Sequence, residues 1–327
     1  MNTPLRITAF AAVLAAAFGA AYGVGYAVVP IGASAEPSTH AGHDRTDAPD
    51  EEREGEGGGE HPEGGHDMTP GGLQISESGY SLDLKTPSVR AAEKSPLRFV
   101  IRDSAGREVT AYQREHNKEL HLILASRDLG TYRHLHPTRS SDGTWNVDAE
   151  LPAAGTYRLF ADFTPAAKGA KNLTLGADLA ASGNYRPAPL PSPATVAKVD
   201  GYTVTLESRL RPGAAGELGL KVAKNGRPVT DLDPYLGAYG HLVALRSGDL
   251  AYLHVHPNGT PGDGRTKSGP DISFTATAPS PGSYRLFLDF QHEGVVRTAR
   301  FTVEVGRTAQ DHTGSEESEN PEGHDQH

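Results

Sequence analysis

The sequence predicts an all-β chain built from two tandem copies of one β-sandwich module. Three observations predict it. Gly and Pro are frequent, at 38 and 24 of 327 residues, while runs of Val, Leu, Thr, Tyr and Phe stay short; that composition favours strands and turns. Two blocks of one design recur, HLILASRDLGTYRHLHP at 121–137 and HLVALRSGDLAYLHVHP at 241–257. Flanking blocks recur in the same order: Gly79-Tyr80-Ser81-Leu82 with Gly201-Tyr202-Thr203-Val204, and Gly155-Thr156-Tyr157-Arg158-Leu159-Phe160 with Gly282-Ser283-Tyr284-Arg285-Leu286-Phe287. A register kept twice marks a duplicated unit.

Residues 1–35 open the chain with Arg6 and an almost wholly apolar stretch over 7–33, ending at Ala33-Ser34-Ala35. Two readings fit. The small-x-small ending suits a cleaved signal peptide; the apolar length also suits a single membrane-spanning helix. Both place residues 36–327 outside the cytoplasm, because Arg6 stays inside. The expected localisation is exported, either anchored and facing outward or secreted.

Residues 36–70 form an acidic, His-rich linker with His40, His43, His61, His66 and Met68. Residues 308–327 form an acidic tail with His312, His324 and His327. Both carry too little apolar surface to fold. Such tracts serve as solvated spacers or as weak traps for divalent metals. The whole chain stands at −10, the linker at −9, the tail at −6 and residues 1–35 at +1 through Arg6, which leaves residues 71–307 at +4. Acidic ends and the lack of a basic stripe with interleaved aromatics argue against nucleic acid as a partner. With no cysteine in the chain, disulfides and thiolate metal sites are excluded.

Module 1 covers 71–182 and module 2 covers 199–307, separated by a Pro-rich linker at 183–198. Each holds about seven short strands between turn signals such as Asp142-Gly143, Asn225-Gly226 and Pro281-Gly282. Seven strands in about 110 residues suit an immunoglobulin-like sandwich.

Residues two apart on a strand share a face, with Cα atoms about 6.6 Å apart. His134 therefore points with His136, and His254 with His256. A tight turn near Asp128-Leu129-Gly130 sets His121 on the neighbouring strand; whether it shares their face depends on the parity of the loop. On the strand from Tyr157, the side chains of Arg158, Phe160 and Asp162 share one face. Trp145 reads as core. His116 and His292 lack counterparts in the other copy and read as surface loop residues.

These residues suggest a divalent-metal site in each copy: His121, His134, His136 and Asp162 in the first, His241, His254, His256 and Asp289 in the second. Imidazole and carboxylate donors suit Cu²⁺, Zn²⁺ or Ni²⁺, and the affinity order puts copper first with zinc next. Cu⁺ suits the donors less, since Met68 is the one thioether past the apolar segment. The competing reading is a structural network in which Asp162 pairs with Arg158 and the histidines bond to backbone, since buried charge must be paired. No G-x-S-x-G, phosphate-cradling loop or H-E-x-x-H is present, so no enzyme is expected.

At HLHP and YRLFADF the chain resembles exported actinobacterial proteins with a duplicated HxHP module, over about residues 73–306. More distantly, each module is similar to the small β-sandwiches of the CopC and YtkA-like copper-handling classes. The first resemblance implies no established activity; the second is one of architecture and histidine use. It departs from CopC in that Glu36, rather than a histidine, would follow the cleavage point. The expected function is extracytoplasmic binding or buffering of a divalent metal. The alternative is a non-catalytic cell-envelope interaction or structural protein with a polar histidine network. The protein partner stays unspecified; the membrane is a partner if the N-terminal helix is retained.

Overall fold

The computed structural model describes residues 69–253 and 255–306. The N-terminal segment, acidic linker, tail and His254 lie outside the described residues. Among the described residues no helix is long and apolar enough to cross a membrane. The described residues fall in one compact unit that contains both copies.

The first copy runs β1 (Ser76–Glu77), β2 (Tyr80–Leu84), β3 (Ser88–Arg90), β4 (Lys94–Arg102), β5 (His121–Ser126), β6 (Tyr132–Leu135), β7 (Thr138–Arg139), β8 (Trp145–Glu150), β9 (Gly155–Phe163) and β10 (Leu173–Ser182). The second runs β11 (Val196–Val199), β12 (Tyr202–Ser208), β13 (Ala215–Lys224), β14 (Arg227–Pro228), β15 (His241–Arg246), β16 (Tyr252–Leu253), β17 (Val255–Pro257), β18 (Asp271–Thr277), β19 (Gly282–His292) and β20 (Val295–Val305). The surplus over seven per copy consists mainly of pieces of two to four residues at sheet edges.

Each copy is two facing sheets. In the first they are β1-β2-β4-β8-β7 and β3-β10-β9-β5-β6, with β3 parallel to β10. In the second they are β11-β12-β13-β18-β17 and β16-β15-β19-β20. In immunoglobulin lettering this is A-B-E-D facing G-F-C-C′. Both copies also carry the tyrosine corner of that fold. Tyr157 Oη donates to Ala153 O at 2.8 Å and Tyr284 Oη to Ser280 O at 2.7 Å. Alternation fills each core. Leu122, Leu124, Tyr157, Leu159, Ala161 and Phe163 point inward with Phe99 and Trp145 in the first copy, as do Leu242, Ala244, Tyr284, Leu286 and Leu288 in the second.

The outward faces of the two C-F-C′ sheets are also buried, against each other. Ile123, Ala125, Leu129, Tyr132 and Phe160 of the first copy join Val243, Leu245, Leu250, Tyr252 and Phe287 of the second in a separate apolar cluster. Tyr132 stacks on Phe287 with ring centroids 4.2 Å apart. The two leucines at the hairpin tips, Leu129 and Leu250, take φ of 57° and 64°. Left-handed backbone costs a leucine about 1–2 kcal/mol; burial in the seam holds both there.

Residues 71–74 thread this seam. Gly72 N–H donates to Thr174 O, Gly176 N–H donates to Gln74 O, and Tyr252 N–H donates across the seam to Gly71 O at 2.9 Å. Arg158 holds the segment through Gly72 O and Leu73 O, and pairs with Asp178 at 2.9 Å. The expected Arg158–Asp162 pairing is thereby replaced: the guanidinium is drawn to the carbonyls of the incoming chain.

Candidate metal centre

The β5–β6 register settles the parity left open by the loop. Ile123 opposes His134 and Ala125 opposes Tyr132, so His121, two residues before Ile123, shares a face with His134. The same face continues onto β9, where Asp162 opposes His121 and Phe160 opposes Ile123. In the second copy Asp289 opposes His241. Because these faces meet in the seam, the described histidines do not form one cluster per copy. The structure draws His121, His134 and His241 together, with one ligand atom of each within 4.8 Å of the others. The reason is physical: the histidine-bearing face of each copy's sheet packs against the corresponding face of the other copy.

The outer partners set the tautomers. His121 Nε2 lies 3.3 Å from Glu115 O, and a carbonyl only accepts, so Nε2 carries the proton. His134 Nδ1 lies 3.0 Å from Asp289 Oδ2. Asp289 also accepts from Tyr132 Oη at 3.1 Å and from Thr298 Oγ1 at 2.6 Å. Three donors around one carboxylate mark it as an ionised acceptor, which puts the His134 proton on Nδ1. The remaining nitrogens, His121 Nδ1 and His134 Nε2, then face each other at 3.1 Å. Both present lone pairs. Two metal–nitrogen bonds of about 2.0–2.1 Å at a tetrahedral angle separate the nitrogens by roughly 3.3 Å.

The surroundings are dry. His121 is 6% exposed, and the side chains of His134 and Asp289 are each 3% exposed. Burial, with neighbouring imidazoles, pushes His121 and His134 down to about 3. Burial likewise drives His241 well below its ordinary value. Burial raises the Asp289 carboxyl, opposed by the Thr298 hydrogen bond, the nearby His241 and Tyr132. A proton between the rings is therefore disfavoured, and a cation is the other way to satisfy converging lone pairs. His241 Nδ1 and His136 Nε2 are buried without a hydrogen-bond partner.

The other expected ligands lie elsewhere. His136 is next to the cluster, its ring centroid 4.8 Å from that of His134 and 5.4 Å from that of His121. Asp162 accepts from Asn172 Nδ2 at 2.8 Å and is raised by burial to about 6. His256 is exposed on β17, which pairs with β18 in the opposite sheet. The second His-x-His is thus not a single strand: the chain changes sheets between Leu253 and Val255. His254, at that change, lies outside the described residues.

Of the two unmatched histidines, His116 lies in a turn as expected and His292 does not. His116 borders the cluster, its ring 6.0 Å from His121 and 6.2 Å from His241. His292 is buried at the end of β19, bonded to Tyr202 Oη at 2.7 Å and Asp231 Oδ1 at 3.1 Å. Tyr132 and Thr298 complete the shell around Asp289 and were not among the expected ligands.

One family model, described as Domain of unknown function (DUF8832), matches the chain twice, over residues 75–176 and 197–307. No curated protein matches the chain. Among solved structures, the Escherichia coli adhesin FdeC is 15% identical, with 71% of this chain and 65% of that chain covered and a TM-score of 0.22. Yersinia pseudotuberculosis InvD is 12% identical, over 74% of this chain and 61% of that chain, with a TM-score of 0.23. A putative membrane anchored protein from Corynebacterium diphtheriae is 8% identical, over 71% and 60%, with a TM-score of 0.21. The chain spans less than two thirds of each. At such scores the likeness carries no argument, and the fold rests on the strand order above.

Proposed function

The chain belongs to this family, with two copies of its domain, and we propose that it is an exported, non-catalytic protein that binds one divalent transition-metal ion between its modules. Copper(II) is the first choice and zinc the second, on donor type and affinity order. The observation that carries the reading is the convergence of His121, His134 and His241 on one buried point, with lone pairs facing at 3.1 Å. Asp289 fits the role of the carboxylate that orients a ligating imidazole. Export rests on the apolar run behind Arg6 and the Ala33-Ser34-Ala35 ending.

The test is calorimetric titration of Cu²⁺ and Zn²⁺ into the parent and into His134→Ala. Both carry the same His-rich ends, so only the difference reports the site. The parent takes up one further equivalent that the variant lacks. Identical isotherms would refute the reading.

A second reading, a cell-envelope interaction or structural protein with a polar histidine network, is favoured by the three hydrogen-bond donors around Asp289. It predicts a large loss of stability in His134→Ala in chelator and none of the metal uptake.

A further inference from the structure

We infer that the ion is a clasp: it binds the docked pair of modules and neither module alone, so that ion loading and docking are one linked equilibrium. This rests on the metal reading above. The first copy supplies His121 and His134, the second supplies His241, and the second copy's Asp289 fixes the tautomer of the first copy's His134. Separating the copies removes one ligand and the orienting carboxylate at once. His121 Nδ1 and His134 Nε2 stand 3.1 Å apart within the first copy; docking places Asp289 on His134 Nδ1, which turns that contact into one between lone pairs, and it leaves His241 Nδ1 buried without a partner. A cation at that point relieves the penalty that docking creates.

The rest of the seam fits a reversible joint. It is an apolar patch continuous across the two copies, crossed among the described residues by few polar bonds: Tyr132 and His134 to Asp289, and Tyr252 N–H to Gly71 O. The Pro-rich linker between the copies lies along it, with Ala188 N–H on Asp128 Oδ2 and Leu190 packed on the cluster. A ligand that binds one state only shifts that state by a factor of 1 + [L]/Kd, about 100-fold at 100 Kd. The coupling is reciprocal, so whatever opens the seam weakens the ion by the same factor.

The experiment uses the full chain, with Zn²⁺ as probe. Hydrogen exchange is followed at the Tyr252 amide, which is bonded across the seam, and at β4 and β13 inside the cores. Zn²⁺ affinity is read by competition with a chelating dye. Saturating Zn²⁺ slows Tyr252 exchange at least tenfold and leaves the core strands unchanged. Leu129→Asp with Leu250→Asp, which opens the seam at the hairpin tips and touches no ligand, weakens the His134-dependent affinity at least tenfold. Tyr252 exchange unmoved by bound Zn²⁺ overturns the clasp, as does parental affinity in an opened double variant. A parent that binds no more Zn²⁺ than His134→Ala removes the metal reading itself.

Discussion

His134 stands between two obligations, its Nδ1 to Asp289 and its Nε2 to the shared point with His121. Asp289→Ala strips three donors of their acceptor. A buried group left unsatisfied costs about 1–3 kcal/mol, so chemical denaturation should show a loss of at least that size. Asp289→Asn keeps an acceptor oxygen but loses the charge; its metal affinity should fall 10–100-fold, the usual cost of a missing orienting partner. The pH dependence follows from the depressed imidazoles. His121 and His134 titrate near 3 when folded against 6.5 ordinarily. Between those values the unfolded chain binds protons that the folded chain refuses, so stability is complete above 6.5 and is lost as pH falls toward 3. Each such group steepens the slope by about 1.4 kcal/mol per pH unit. Asp162, raised to about 6 from 3.8, acts in the opposite sense between those two values and offsets one imidazole there. In chelator, the urea midpoint should drop from pH 7 to pH 5, and His134→Ala should flatten that drop.

Most strands were legible from period-two alternation and turn residues, because each core face packs as a half-buried sheet does. The two-sided burial of β5 was written in the sequence too: HLILAS is continuous rather than alternating, and all six residues are buried. A run of that kind signals cover on both faces. Alternation predicts that His134 and His136 point together, yet it is silent on what lies opposite. The split of the second His-x-His between β16 and β17 was not legible, because a change of sheet leaves no period of its own. The threading of residues 71–74 was equally hidden, though three glycines permit it. A Cβ on Gly176 would sit 2.0 Å from Gly72 O, and one on Gly72 2.3 Å from Phe160. Gly176→Ala should therefore expel the segment, seen as faster exchange at Gly72 and Tyr252 with the cores intact. At the tyrosine corners, Tyr157→Phe should cost about 1 kcal/mol in urea unfolding.

Across the whole molecule, duplication did more than repeat a sandwich. It supplied each apolar C-F-C′ face with a matching partner and brought histidines of both copies to the line where they meet. The match is close but unequal: Asp289 reaches across to Tyr132 and His134, while Asp162 bonds to Asn172 in its own copy. Among the described residues one cluster results where two were expected. Crystals of the parent grown with Zn²⁺, measured at the zinc absorption edge, test this most directly. The account predicts one anomalous peak per chain in the seam, bonded at about 2.0–2.1 Å to His121, His134 and His241. An empty seam with zinc seated elsewhere, or a peak held by one copy's residues alone, would contradict it.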